Sequence, residues 1–272
     1  MPRLTILLLV ALTIFPAPAL AAEPGDFTRL AAQISPHELM QTVRDLARFE
    51  GRQSGTPNGD AAAAYIKSRL SDAMLQSFPV RTAQIDTPVH VEIQAAGRSA
   101  PLHLGRDFLP IVSAAPVEKI SAPIVFVGYG IVEPKQKLDE YAGTSVNGKI
   151  VLFLRGLPKG FAGRVTHADK VKAARARGAV AYLTVTGPLL SPYEQRRGMS
   201  TKPVLLYEGT HAEALPGLWL DPSAADTILK PAGLSLRSFQ EHMDQTLAAR
   251  SSETGTSITL EMRPRLYDAP AS

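Results

Sequence analysis

Along residues 35–70 the apolar positions recur at the helical period. Ser35-Pro36-His37-Glu38 is a capping box with proline in the first helical position. Leu39, Val43 and Leu46 follow at helical spacing, which predicts a helix to about Phe49. The glycine-rich stretch Gly51–Gly59 breaks it. A second helix is expected from about Asp60, with Ala62, Ile66, Leu70 and Ala73 on one face and Pro79 closing the segment. The period then changes. Val89–Ile93 alternates as a strand with one wet face, and Leu102–Leu104 is its candidate hairpin partner. After a proline-punctuated loop, Ile124–Gly130 reads as a buried strand ending in a glycine turn. Asn147-Gly148 marks a tight turn before a second buried strand, Ile150–Leu154. A basic helix from about Ala168 to Arg177 ends at Gly178. Ala179–Val185 and Val204–Tyr207 are the third and fourth buried strands. Asp221-Pro222 opens a short helix, and Leu236, Phe239, Met243 and Leu247 define another. The last strand is Ser257–Met262.

The first residues follow a different rule. Arg3 precedes an unbroken apolar run, Leu4–Phe15, then Pro16, Pro18 and the small-x-small triplet Ala19-Leu20-Ala21. This predicts a secretory signal peptide, residues 1–22, cleaved after Ala21 or Ala22. The run is too short to span a bilayer, and no later stretch approaches that length. The mature protein is therefore expected in the periplasm or outside the cell, with no membrane span. The 272 residues are 45% apolar, which fits a globular chain rather than a disordered one. Having no Cys, the chain has no disulfide, no Cys-ligated zinc and no thiol nucleophile. A net charge of +4 with no aromatic interleaving among the basic residues gives no nucleic-acid site.

Individual motifs carry little chemistry. Gly143–Lys149 has P-loop spacing, but Ile150 replaces the required hydroxyl and a strand follows where a helix should, so a hairpin turn is expected. Gly128-x-Gly130 lacks a third glycine and a following helix. His167-Ala168-Asp169 has metal-type spacing, yet Asp169 is better explained as a first-turn acid facing the helix dipole. His90 and Glu92 share a strand face as a polar pair. Ser54 lies in a turn-forming loop. His37, His103, His211 and His242 stand at no informative spacing from a nucleophile. Lys170, Lys172, Arg175 and Arg177 on one helix, and Arg196-Arg197 on a later loop, read as solvated faces.

Taken in order, some of these segments resemble a known family. Leu46–Leu70, with Gly51-Arg52, Gly55-Thr56, Gly59 and Ala63-Ala64-Tyr65-Ile66, resembles the opening segment of secreted co-catalytic zinc aminopeptidases, the M-twenty-eight family of peptidases. Ile124–Gly130, Asp139–Gly143, Val146–Leu152 and Lys170–Ala181 resemble the protease-associated (PA) domain that many of them carry, and Leu229 and Leu236 the helices that lead out of it. The family's zinc ligands lie after the PA domain, and nothing here stands at their positions. The resemblance therefore assigns no catalytic, cofactor-binding or metal residue to this chain. Zinc would enter only with a separate catalytic domain.

The expected fold is α+β. A β-rich PA-type domain (105–220) is inserted between remnants of an α/β zinc-peptidase fold. Residues 23–104 are the opening helices and strand, and 221–272 the returning helices and an edge strand. The helical faces with Leu39, Val43, Leu46, Ile66 and Leu70 would pack on each other and leave an apolar remnant. The expected function is an exported, non-catalytic PA-domain protein acting in substrate access or protein interaction. The alternative is the front part of an active zinc aminopeptidase whose catalytic domain is on another chain or lost by truncation. Expected partners are a peptide or protein substrate, or a separate peptidase domain docking on the helical apolar faces.

Overall fold

The computed structural model describes residues 24–52, 56–70, 72, 74–112, 117–196, 198–202, 206–207 and 215–271. The predicted signal peptide, Ser54, Ala73, Arg197, Val204 and His211 lie outside the described residues.

The chain divides into two compact units, one up to Gln76 and the other Ser77–Ala271. The first holds three helices, α1 (Pro24–Ala32), α2 (Pro36–Ala47) and α3 (Pro57–Arg69). Their starts follow the sequence rules. Ser35 caps α2 by accepting from the Glu38 amide, and Thr56 caps α3 by accepting from Gly59. Helices α2 and α3 meet through polar and aromatic groups. The Tyr65 hydroxyl donates to Asp45 at 3.1 Å, and the Phe49 and Tyr65 rings lie 6.1 Å apart. Of the expected apolar faces Leu46 is half-buried, and the rest remain as the apolar remnant. Leu39, Val43, Ile66 and Leu70 stay 46–57% exposed, because Tyr65 and Phe49 occupy the seam instead.

The second unit is built on a nine-stranded mixed sheet, so the molecule is of mixed α and β structure. Its strands are β1 (Phe78–Ala95), β2 (Arg98–Pro101), β3 (Phe108–Val112), β4 (Val117–Phe126), β7 (Ile150–Leu154), β8 (Ala181–Val185), β9 (Leu206–Tyr207), β10 (Gly217–Leu220) and β11 (Ser252–Ala271). They lie in the order β2-β1-β11-β4-β7-β8-β10-β3-β9. A separate small ribbon joins β5 (Val132–Glu133) to β6 (Leu138–Asp139). The centre, β4-β7-β8-β10, is parallel, while β2, β1 and β11 add antiparallel strands on one side.

Helices cover the sheet on both faces. Side chains alternate between them, as strand geometry requires. Ile124, Phe126, Ile150, Leu152, Leu183 and Leu220 face α6 (Pro222–Leu229) and α7 (Leu236–Thr246). Val125, Val127, Val151, Phe153, Tyr182 and Trp219 form the opposite core with Ala174 of α4 (His167–Ala176). A last short helix, α5, is Pro192–Arg196.

Three expectations are corrected here. The segment Ser257–Met262 is not an edge. It lies inside the sheet between β1 and β4, because Ile258, Leu260 and Met262 share a core with Val91 and Ile93, while Thr259 bonds Ser121 and Gln94 on the other face. The hairpin partner of β1 is mainly Arg98–Pro101, since the chain turns at once through Ala96-Gly97, and of Leu102–Leu104 Leu102 extends it, its amide donating to the Val91 carbonyl at 2.8 Å. The turn at Asn147-Gly148 makes no hairpin. The strand it feeds, β7, lies parallel to both its neighbours, and the Gly148 amide bonds Gly178.

Candidate functional site

Strand β4 ends in the turn Val127-Gly128-Tyr129-Gly130, which closes through a Gly130 amide to Val127 carbonyl bond of 2.7 Å. The Glu140 carboxylate lies under this turn with no solvent exposure. It accepts from the Tyr129 amide at 3.1 Å and the Ile131 amide at 2.9 Å. Gly128 is required twice. Its φ is +58°, and a Cβ there would lie 2.0 Å from a Glu140 carboxylate oxygen. Two amide donors in a dry site make a carboxylate acceptable. Burial nevertheless dominates and raises the Glu140 pKa, against the two amides and Lys170.

Lys170 is the second buried charge, 2% exposed on α4. Thr166 caps that helix. Its hydroxyl accepts from the Asp169 amide, and its own amide donates to the Asp169 carboxylate at 2.8 Å. The predicted first-turn role of Asp169 is thus realised as a capping box, and these bonds lower its pKa. One turn along, Lys170 points inward beside Ala174. Its ammonium donates to the carbonyls of Leu154 (2.9 Å) and Gly156 (2.6 Å) and sits 5.3 Å from the Tyr129 ring centre. Burial lowers the Lys170 pKa. Glu140 and Glu194 oppose that effect, and Arg155 adds to it.

The basic helix is therefore not one solvated face. Lys172 and Arg175 are exposed, Lys170 is buried, and Arg177 stacks 4.7 Å from the Tyr141 ring while reaching Asp139 at 3.5 Å. Sequence reading missed Glu140 and Lys170 as a buried pair. The usable signal was Lys170 standing four residues before Ala174, on the face the helix buries.

Above Lys170 opens a cavity of about 950 Å³, walled by residues 155–167, which run from the end of β7 into α4, and by the 191–199 segment around α5. Arg155, Lys159, Arg164, Lys170 and Arg196 line it, with His167 at the helix start. The Arg155 guanidinium lies 4.1 Å from the Trp219 ring centre, which fixes one wall to β10. Behind the cavity, Glu194 is buried beside Gly156 and accepts from the Ser191 amide at 2.7 Å. A Cβ on Gly156 would lie 1.5 Å from the Glu194 carboxylate. Buried Gln240 of α7 ties Tyr129 to Leu189 by three bonds of 2.9–3.1 Å.

Of the remaining candidate groups only His167 reaches this site. His90 and Glu92 do meet, at 3.9 Å, on an exposed strand face. His103 bonds Asp107 and Arg106 on the surface, and His242 bonds Thr246 within α7. On the wall, His167 packs against the stacked Phe153 and Tyr182 rings, 5.4 and 5.6 Å from their centres. Among the described residues no three His, Asp or Glu side chains converge as a metal site. The described residues therefore do not fit a zinc ion.

No family model matches the chain, and no curated protein matches it. Among solved structures the chain is similar to an aminopeptidase from Aneurinibacillus sp. strain AM-1, with a TM-score of 0.47 and 17% identity over 85% of this chain and 45% of that one. A zinc aminopeptidase from Bacillus subtilis gives 0.42 and 18% over 85% and 45%. An M-twenty-eight peptidase precursor from Shewanella amazonensis SB2B gives 0.42 and 14% over 85% and 48%. The chain spans less than half the length of these structures.

Proposed function

We propose that this chain is the substrate-access or protein-interaction part of an exported aminopeptidase-like protein and holds no catalytic group of its own. In this reading residues 105–220 are a PA-type domain, residues 23–104 supply the opening helices and strand, and residues 221–272 the returning elements. β1 and β11 continue the sheet of the PA-type domain. Export by the predicted signal peptide places it in the periplasm or outside the cell.

The observation that carries this reading is how the reactive groups of the cavity are used. The Thr166 hydroxyl donates to Asp169 at 2.7 Å, and the Ser191 hydroxyl accepts from the Glu194 amide. Lys170 spends its donors on two carbonyls. These groups hold the walls, and the cavity they hold is of a size that takes several residues of peptide. A roomy cleft in which these hydroxyl and ammonium groups serve its own frame is suited to binding.

A second reading has its own observation. The apolar faces of α2 and α3 remain open, at Leu39, Val43, Ile66 and Leu70. A separate peptidase domain docking there would make this chain the front part of an active zinc aminopeptidase, with zinc and bond cleavage belonging wholly to that domain.

The test is turnover. Purified mature chain is incubated with zinc and a panel of aminoacyl anilides, and peptide binding is measured in parallel. Binding without release of the anilide dye is expected. Hydrolysis by the chain alone overturns the reading.

A further inference from the structure

We infer that the cavity beside α4 selects acidic peptide segments, those that carry carboxylates among apolar side chains. The inference rests on the access reading above and adds the chemical class of what is admitted.

Charge is the first argument. Arg155, Lys159, Arg164, Lys170 and Arg196 line one cavity of about 950 Å³, and among the described residues no Asp or Glu lines it. The nearby carboxylates stand behind that wall and offset part of its charge, Glu140 and Glu194 acting on Lys170 in particular. Glu194 lies buried behind Gly156 with its oxygens toward Ser191. Asp169 is held in the α4 cap, and Asp244 accepts from the Lys159 amide at 2.7 Å. A concave surface of one sign with low-dielectric walls concentrates field within it, so an anionic guest is favoured over a neutral or cationic one. Arg155 is half-buried in the wall, while Arg164 and Arg196 are exposed where a guest's carboxylates can reach them.

Shape is the second argument. A bare oxyanion needs a tight cradle, whereas this cavity is several times larger. Its remaining wall includes Leu157, Phe161, Val165 and Met199, all half-buried, beside the glycine backbone at Gly160, Gly163 and Gly198. Apolar patches between guanidinium groups suit a peptide that alternates apolar and acidic side chains. Arginine forks pair with carboxylates in two-point contacts, which adds geometric selection to the charge.

The experiment is fluorescence anisotropy on the full mature chain. The probes are a labelled hexapeptide alternating Glu with Leu or Phe, its Lys-for-Glu counterpart, a Gln-for-Glu counterpart and inorganic phosphate as competitor. Two proteins are compared with the wild type. Arg164→Glu with Arg196→Glu reverses two exposed rim charges, and Arg237→Glu reverses an exposed charge on α7. Thermal melts confirm that each is folded. The acidic peptide is expected to bind at least about ten-fold more tightly than either counterpart, with affinity falling as salt rises. The rim double variant should lose at least about ten-fold, and Arg237→Glu should bind like wild type. Equal losses in both variants would mean diffuse surface attraction and overturn the inference. So would phosphate competing as well as the peptide, which would make this a small-anion site. If the Gln peptide binds as tightly as the Glu peptide, the charge selection fails while the access reading stands. If no peptide binds at all, both fail.

Discussion

The helical unit and the sheet unit put similar sequence patterns to opposite use. In the sheet, apolar alternation is answered from both sides, and strands β7, β8 and β10 are buried along their whole length. In the helices, the same kind of alternation finds little to pack on. α2 buries no residue and α3 buries only Ala62. Caps and periodicity thus suffice to set a helix's limits but not to give its face a neighbour. The sheet unit also buries charged side chains, and Glu140 and Lys170 are the two shown here to be supplied with pairs of backbone partners.

The sharpest break of this contrast is at Gly128. Replacing it with Ala forces a Cβ into Glu140 and the Phe239 ring at a positive φ, and about 3–5 kcal/mol of destabilisation is expected in urea unfolding. A loss under about 1 kcal/mol would show that the turn is not held by the carboxylate.

Lys170→Met comes next. It leaves the Leu154 and Gly156 carbonyls without their donor and removes a cation that favours ionised Glu140, at about 2–4 kcal/mol. The loss should grow with pH. The native Lys170 pKa lies below its ordinary 10.5, so between the two values the unfolded chain binds more protons and wild-type stability rises with pH. The native Glu140 pKa lies above its ordinary 4.5, so stability falls as pH rises through that window, and further without Lys170. Both effects widen the gap between variant and wild type. Urea midpoints at about pH 5 and about pH 9 check it, and a constant gap would sink the account.

The smallest effect sharpens the comparison from the helical side. Leu39→Ala and Val43→Ala should each change the stability of the purified chain by no more than about 0.5 kcal/mol, since both side chains are more than half exposed. A loss of about 2 kcal/mol or more would mean these faces are already packed in solution.

The buried strands of the sheet's centre were largely legible in the sequence because short apolar runs such as Ile150–Leu154, rich in β-branched and aromatic residues and preceded by a turn signal, favour buried strands. Helix starts were legible because Ser35 and Asp221 bond locally, where three or four residues decide the outcome. β10 was not. Gly-Leu-Trp-Leu is too short to show a period, and its burial comes from β3 and β8, distant in sequence. The cavity was invisible for a related reason. Arg164 and Arg196 look like any surface charge, and only the turn after β7 sets them on one rim. Glu140 and Lys170 look the same way, because composition cannot tell a solvated charge from one met by amides and carbonyls.

The long ribbon of β1 and β11 has a mechanical consequence. Phe78 pairs with Ala271, and after an irregularity past Asp86 the pairing continues to Ala95 with Thr256. The two ends of the sheet unit therefore stand side by side at one end of the ribbon, with opposite chain sense. Tension applied between residues 78 and 271 would load the ladder one rung at a time, as a zipper, rather than in shear across all rungs together. The outer pairs would part at low force, and the parallel centre of the sheet would bear none of the load until the ribbon had opened to its root.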